Sequence, residues 1–162
     1  MKANAAAAAA GGAAAGATPA AKVPKLSEQA MAPCASCGGS PVALPEAEAA
    51  SKLAQLCPSW SVGVSQGGES QLAVLRRSFV AKNFASALAA LNAYGAVAEE
   101  QGHHPDLHLT SYRTVTIELY THSIDSLSQN DFILAALLDK CPVVYSPKWQ
   151  KENPSATAGT GK

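Results

Sequence analysis

All four histidines of this 162-residue chain fall within a stretch of 20 residues: His103, His104, His108 and His122. Histidine is the side chain best suited to giving and taking protons near neutral pH. Glu99 precedes His103 by four residues, so its carboxylate can orient that imidazole if both lie near the end of one helix. Asp131 can do the same for His122, or it can bind a substrate amide. The cluster therefore points to acid–base chemistry.

Three other interpretations of the cluster stay open. An adjacent His-His pair in a loop is often solvated and without a catalytic role. A zinc site of three histidines is the next alternative, although His103 and His104 would point apart in an extended loop and make joint ligation awkward. A serine or cysteine nucleophile paired with a histidine is the third, but the chain has no nucleophile-elbow sequence. His108 is most simply an exposed strand residue, so it is left out of the candidate site.

Charge and composition disfavour several classes of protein. The chain carries 12 basic and 12 acidic side chains, so its formal net charge is zero. Because binding to a polyanion needs a basic surplus, a dominant role in binding nucleic acid is disfavoured. No apolar run approaches the roughly 20 residues of a spanning helix, which disfavours an integral membrane protein. The glycine pairs at 11–12 and 38–39 precede no βαβ unit, so a dinucleotide site is not indicated.

The two ends of the chain differ from its middle. Thirteen of the first 25 residues are alanine, and no acidic residue occurs before Glu28. We expect residues 1–25 to form a disordered leader, either an organelle transit peptide or a bland alanine-rich tail. A transit peptide would direct the protein to a plastid or a mitochondrion, and the cytoplasm is the alternative. Residues 26–150 are expected to form one domain, and residues 151–162 a flexible tail.

Two of the four cysteines lie close together, in Cys34-Ala-Ser-Cys37, which has the spacing of a zinc half-site or a redox pair. A structural zinc site usually needs a second such pair, and Cys57 and Cys141 are solitary. The alternative is two thiols in a loop ahead of the domain. Nothing in the sequence indicates a disulfide scaffold, so we expect a reducing compartment.

The apolar pattern divides the folded part into helix, two strands, helix, two strands and helix. A Gly-Gly turn at 67–68 joins the first two strands. Hairpins interleaved with helices predict an α+β fold, in which a four-stranded antiparallel sheet carries helices packed on one face. The predicted elements are a helix over 46–57, strands over 60–64 and 72–80, a helix over 84–101, strands over 107–109 and 115–121, and a helix beginning at Ser128 or Asn130.

The helix over 84–101 is the best defined of these elements. Asn83 can cap its first turn, because the side-chain oxygen accepts an unpaired backbone N–H, and Gly102 can end it. Its apolar positions follow helical spacing: Phe84, Leu88, Leu91 and Ala98, with Ala87 and Tyr94 beside them. The last strand alternates, with Val115, Ile117 and Leu119 on one face and Thr116, Glu118, Tyr120 and His122 on the other.

Taken together, these residues resemble the signature of the pterin-4a-carbinolamine dehydratases. The pattern is Glu99-x-x-x-His103-His104-Pro105, followed by Tyr112, His122 and Asp131, and the intervals of six, nine and eight residues match that family. Trp60, the Ser126-Leu127-Ser128 lead into the last helix, and the Cys34-x-x-Cys37 segment are also similar to members of it. The resemblance covers residues 26–147.

The resemblance implies an enzyme that converts 4a-hydroxytetrahydrobiopterin, or a related tetrahydropterin, into the quinonoid dihydropterin and water. That reaction recycles the cofactor oxidised in aromatic amino-acid hydroxylation. The resemblance also implies the fold described above, a homodimer or homotetramer, a small pterin as the binding partner, and neither a cofactor nor a metal. Relatives of the fold serve as a dimerisation cofactor of a transcription factor or assist Rubisco assembly, so a non-catalytic binding or assembly factor is the alternative.

Carried over by position, the resemblance makes His103, His104 and His122 the acid–base group. His104 would protonate the departing hydroxyl, and the other two would share the base and positioning work. The same resemblance implies a second set that meets the substrate or tunes the histidines: Glu99, which would act on His103, together with Tyr120, Thr121 and Asp131. Tyr120 is bulky where animal members carry a small residue, which bears on the preferred pterin side chain.

Overall fold

The computed structural model describes residues 25–29, 41–65 and 72–157. The leader up to residue 24, the Cys34-x-x-Cys37 segment and the Gly-Gly turn at 67–68 lie outside the described residues. Among the described helices, none is long and apolar enough to cross a membrane. The elements in chain order are α1 (Glu46–Leu53), β1 (Trp60–Val64), β2 (Ala73–Val80), α2 (Phe84–Gln101), β3 (Asp106–Thr110), β4 (Thr114–Leu119), α3 (Gln129–Leu138) and α4 (Pro147–Glu152).

The four strands form one antiparallel sheet in the order β1-β2-β4-β3. The two strands of each predicted hairpin pair with each other, β1 with β2 and β3 with β4. Strands β2 and β4 pair in the centre of the sheet, where Arg77 lies opposite Ile117. Strands β1 and β3 are the two edges. The predicted α+β architecture is confirmed. Strand β1 keeps its predicted bounds, and those of the other strands move by one or two residues.

The two faces of the sheet differ as the alternation in β4 predicts. Val115 and Ile117 are buried under the helices. On the opposite face, Ser78 and Thr116 share a hydrogen bond of 2.9 Å between their hydroxyls, and Arg76 Nε donates to Glu118 Oε1 at 2.7 Å. The ion pair explains why Glu118 is largely buried although it lies on the polar face.

Helix α2 begins and ends where its capping residues predict. The Asn83 side-chain oxygen accepts from Ser86 N at 2.8 Å, and Gly102 ends the helix in the left-handed conformation, with φ of 63°. The predicted buried stripe is partly wrong, because Phe84 and Leu88 are 50% and 40% exposed. The face toward the core is made of small residues and one tyrosine: Ala87, Ala90, Tyr94 and Ala98.

A buried arginine joins the sheet to the end of α3. Arg77 donates to Asp139 Oδ1 and to Tyr145 Oη, both at 2.6 Å. The same carboxylate accepts from Trp60 Nε1 at 2.9 Å and from Cys57 N at 3.0 Å. Asp139 thereby holds β1, β2 and the loop after α1 against one another.

The chain after α3 is more ordered than expected. We expected residues 151–162 to form a flexible tail, but the described part, up to Thr157, continues from α4 into a 3-10 turn. The reason is tertiary contact. Trp149 stacks on Tyr145 with 5.3 Å between ring centroids, and the carbonyl of the buried Ala156 accepts from Cys57 Sγ at 3.1 Å.

Candidate active site

His103 is placed by the end of α2. Gly102 turns the chain out of the helix through its positive φ, and His103 N then donates to Ala98 O at 3.2 Å. This bond closes the last helical turn and directs the imidazole inward, where only 6% of the residue is exposed. Helix α2 therefore delivers a buried histidine at a fixed point of its C-terminus.

Asp131 is placed by the first turn of α3. Ser128 caps the helix, and the Asp131 carboxylate accepts from Ser128 N at 2.7 Å, so the two form a capping box. Asp131 has no exposed surface at all. Its Oδ1 lies 2.6 Å from His103 Nε2, and its Oδ2 accepts from Thr121 Oγ1 at 2.9 Å. The carboxylate thus joins the end of α2 to the start of α3.

The His103–Asp131 contact has a clear chemical consequence. A carboxylate that accepts from three donors has its charge well satisfied, although it is buried. With Nε2 donating to Asp131, the neutral imidazole has its lone pair on Nδ1. A buried carboxylate that orients a histidine in this way prepares the other ring nitrogen to take up a proton.

His104 and Glu99 form a second pair, at the surface. Their closest atoms, His104 Nε2 and Glu99 Oε1, are 3.2 Å apart, and both side chains are mostly exposed. We expected Glu99 to act on His103, but its carboxylate contacts His104 instead, because His103 turns into the core to meet Asp131. Adjacent histidines therefore take carboxylate partners of very different burial.

His122 and Tyr120 lie side by side at the end of β4. His122 begins a 3-10 turn that ends at Ile124, and the centroids of the Tyr120 and His122 rings are 4.2 Å apart. Desolvation raises the pKa of the Tyr120 phenol, and the carboxylates of Asp106 and Asp125 raise it further. The phenol therefore stays neutral, and it offers a ring and a hydroxyl beside an exposed histidine.

Thr121 links this turn to the buried pair. Its backbone N donates to Ser126 O at 2.9 Å, which bends the chain back toward α3. Its buried hydroxyl contacts both Asp131 Oδ2 and Ser128 Oγ. His122 therefore directly follows Thr121, which is hydrogen-bonded to Asp131, the partner of His103. The place of Thr121 in a pocket wall stays a prediction.

Hydrogen bonds between neighbouring elements join three of the candidate residues, His103, Thr121 and Asp131. The other candidates form two further contacts, His104 with Glu99 and Tyr120 with His122. His108 stands apart, exposed on β3 beside Thr116. Ser128 also belongs to the network, although it is not among the predicted site residues. The spacing Ser128-x-x-Asp131 is the sequence signal for it, because that spacing is typical of a capping box. Among the described residues, no group of three or more His, Cys, Asp or Glu side chains is placed to hold a metal ion.

Comparison of the sequence with models of known protein families shows which family the chain belongs to. The family model of pterin 4 alpha carbinolamine dehydratase matches residues 42–141, well over half of the chain. The chain belongs to this family. The family membership expected from the sequence is thereby confirmed. Dehydratases are hydro-lyases, so the family is one of enzymes that remove water from a substrate.

Relatives within the family include proteins of bacteria and plants. A Chlorobium limicola protein assigned to the pterin-4-alpha-carbinolamine dehydratases is 42% identical over 112 residues, which are 69% of this chain and 91% of that protein. The Arabidopsis thaliana protein pterin-4-alpha-carbinolamine dehydratase 2, mitochondrial, is 34% identical over 110 residues. That match covers 68% of this chain and 57% of the plant protein, so the chain spans little more than half of the plant protein's length.

The fold of the dehydratase family is also found by structural comparison. The crystal structure of a transcriptional coactivator/pterin dehydratase from Brucella melitensis superposes with a TM-score of 0.50 and 28% sequence identity. The superposition covers 60% of this chain and 96% of the Brucella protein. The shared part thus corresponds to nearly the whole of the Brucella chain.

Proposed function

We propose that this protein dehydrates a 4a-hydroxytetrahydropterin to the quinonoid dihydropterin and water by histidine acid–base catalysis. The observation that carries the proposal is the buried contact of 2.6 Å between His103 and Asp131, with the exposed His104 next in the chain. Family membership and the names of the bacterial and plant relatives supply the substrate class.

The reaction explains why two histidines of different burial are useful. The hydroxyl on C4a leaves as water only if a proton meets it, because hydroxide is a poor leaving group. A base accepts the proton of a pterin ring nitrogen as the new double bond forms. One proton is given and one is taken, no electrons are transferred, and the reaction is balanced without a redox cofactor or a metal.

His103 suits the base and positioning work. Its Nε2–H is directed at Asp131, so its Nδ1 is the nitrogen that can take the proton. The positive charge that then forms on the ring is stabilised by a buried carboxylate at 2.6 Å, in surroundings that water does not screen. In the same proposal Asp131 acts through His103 and touches the substrate only if the pterin displaces one of its present donors.

His104 suits the acid work. Its ring is exposed, so it can reach a bound substrate and exchange protons with water between turnovers. Glu99 Oε1 lies beside Nε2 and holds the ring in place. His122 shares the positioning work, and the Tyr120 ring beside it forms a flat wall on which a pterin can stack.

Several further features of the proposal rest on the family and on the leader. We propose a homodimer or homotetramer that acts in recycling oxidised tetrahydropterin cofactor. The mitochondrial name of the Arabidopsis relative supports import of this chain into a mitochondrion or plastid, and the cytoplasm is the alternative. A non-catalytic binding or assembly role remains the alternative function, because the Brucella neighbour is described as a coactivator as well as a dehydratase.

The test is a direct assay of the breakdown of a 4a-hydroxytetrahydropterin by the purified protein. We expect His103→Ala and His104→Ala each to lower kcat by on the order of 10²-fold or more, since a positioned acid or base contributes that much. His108→Ala is the matched control and should keep full activity, because that residue is exposed on β3. A rate equal to the uncatalysed background in the unaltered protein would overturn the enzyme proposal and favour the binding role. Activity lost in chelator would favour the zinc alternative.

A further inference from the structure

We propose that the hydroxyls of Thr121 and Ser128 are positioning groups that hold the Asp131 carboxylate in the orientation that keeps the His103 proton on Nε2. The inference rests on the proposed function, in which His103 must offer Nδ1 as the base. It assigns a part in that function to two further side chains, Thr121 and Ser128, and neither needs to touch the substrate. It also gives Thr121 a role other than the expected contact with a pterin.

The direction of each hydrogen bond follows from counting protons. A hydroxyl has one proton to donate, and an ionised carboxylate only accepts. Thr121 Oγ1 lies 2.9 Å from Asp131 Oδ2, so the Thr121 proton is used there. Thr121 Oγ1 is also 2.7 Å from Ser128 Oγ, so Ser128 must be the donor in that bond.

The first hydroxyl of the network, that of Ser128, is oriented by the backbone of α3. Ser128 Oγ accepts from Asn130 N at 3.2 Å in the first turn of α3. Its lone pairs therefore face the helix, and its proton faces Thr121. The result is a directed series that runs from the backbone N–H of α3 through Ser128 and Thr121 to Oδ2 of Asp131.

Burial makes this series rigid. Thr121, Ser128 and Asp131 are each at most 4% exposed, so water cannot replace a missing partner. With Oδ2 occupied by Thr121 and by Ser128 N, Oδ1 is the oxygen left for His103. The imidazole accordingly meets an acceptor at Nε2, and it cannot exchange its tautomer without losing the bond to Oδ1.

Removing the Thr121 hydroxyl leaves a specific defect. In Thr121→Val, which keeps the shape of the side chain, the buried Ser128 proton loses its acceptor and Asp131 loses a donor. The carboxylate then turns toward the Ser128 hydroxyl, which draws Oδ1 away from His103. We expect kcat to fall roughly 10-fold, because a misplaced catalytic group slows chemistry while substrate binding elsewhere is kept. KM should stay within about twofold of the unaltered value.

A spectroscopic measurement reports the same event without turnover. The 15N resonances of the His103 ring, recorded at a pH where the imidazole is neutral, distinguish a proton on Nε2 from one on Nδ1. The unaltered protein should show the Nε2–H tautomer alone, and Thr121→Val should show both. Thr121→Ser restores the hydroxyl and should restore both the single tautomer and kcat.

Three outcomes overturn the inference: a single tautomer with full kcat in Thr121→Val, equal losses in Thr121→Ser and Thr121→Val, or a mixture of tautomers in the unaltered protein. All rate measurements are made well below the melting temperature of each variant. If the unaltered protein has no dehydratase activity, the proposed function fails, and the tautomer measurement still decides the positioning role.

Discussion

The guanidinium of Arg77 lies wholly inside the protein, and its Nη1 donates to Oδ1 of Asp139 over 2.6 Å. This pair connects the centre of the sheet to the C-terminal end of α3. A buried charge is tolerated only when it is paired and hydrogen-bonded. The stability of the domain therefore depends on Asp139 more than its partly exposed side chain suggests.

Asp139→Asn should destabilise the protein by about 3–5 kcal/mol, because it leaves the buried Arg77 charge without a counter-charge. The introduced amide also has one oxygen in place of two, so it cannot replace the carboxylate toward both Trp60 Nε1 and Cys57 N. Urea unfolding followed by circular dichroism measures the change. The control is Lys148→Ala, which breaks an exposed pair with 4.0 Å between Lys148 Nζ and Glu152 Oε1 and should leave the free energy of unfolding unchanged. A loss below about 1 kcal/mol in Asp139→Asn would contradict the assigned role.

Two glycines, one inside α2 and one at its C-cap, should change stability in opposite directions when replaced by alanine. Gly95 lies inside the helix, and an added Cβ would have no heavy atom within 4 Å apart from the neighbouring backbone of the helix itself, so Gly95→Ala should stabilise the protein by about 0.5–1 kcal/mol. Gly102 has equal space, but its φ of 63° is strained for any residue with a Cβ, so Gly102→Ala should cost about 1 kcal/mol. Thermal or urea unfolding of both variants tests the pair. Equal changes in the free energy of unfolding would show that the left-handed conformation of Gly102 imposes no cost on a residue with a Cβ.

Asp131→Asn should lower kcat far more than Glu99→Gln. The introduced amide can donate to His103 Nε2, which would move the ring proton to Nδ1, and a wrong tautomer costs on the order of 10²-fold or more. Glu99→Gln removes only an exposed partner of His104, so a change within about threefold is expected. Steady-state kinetics of the two purified variants gives the comparison. Similar losses in both would contradict the assignment of Asp131 to His103.

Tyr94 should make the protein less stable in alkali. Burial raises the pKa of its phenol well above the usual value, although Arg77 lowers it in part. The folded protein thus holds the proton more tightly than the unfolded chain. The neutral Tyr94 phenol therefore stabilises the fold fully below the pKa of about 10 that a tyrosine has in the unfolded chain. This stabilisation is lost as the pH rises beyond that value.

Tyr94→Phe should remove this loss. Within the described part of the chain, the Tyr94 hydroxyl has no hydrogen-bond partner, so the substitution should cost nothing near pH 7. The urea midpoint of the variant, followed from about pH 8 to about pH 11, should fall less steeply than that of the unaltered protein. Tyr112→Phe, at an exposed position, is the control and should keep the original slope. Identical slopes in all three proteins would contradict the expectation.

The elements were predictable where local rules decide them. The sequence of β4 alternates between apolar and polar residues, and α2 begins after Asn83 and ends before Gly102 because both residues satisfy helix ends directly. The face that α2 buries was only partly predictable: Ala87, Tyr94 and Ala98 are buried as expected, but residues 84–98 carry no charged side chain that would mark the solvent side. Helix α4 was missed because its six residues depend on the stacking of Trp149 on Tyr145 rather than on a local apolar pattern.

The sequence names a set of candidate site residues, whose roles stay a prediction, but it does not say which of them pair. The intervals between Glu99 and Asp131 identify the family, and the structure places these residues on neighbouring elements. Which carboxylate meets which histidine depends on how α3 packs against the end of α2. That packing gives Asp131 to His103, 28 positions away, and leaves Glu99 to His104.

Asp131 closes the first turn of α3 with the same carboxylate that holds His103. A homologous chain that has lost its chemistry still needs that turn, and it therefore has a reason to keep the aspartate. Finding an aspartate at this position in another chain is evidence of where a helix starts. In the proposed mechanism the His103 side chain is the base, and it takes no part in capping a helix. A histidine at position 103 is therefore the better sign that a homologous chain has kept the proposed chemistry.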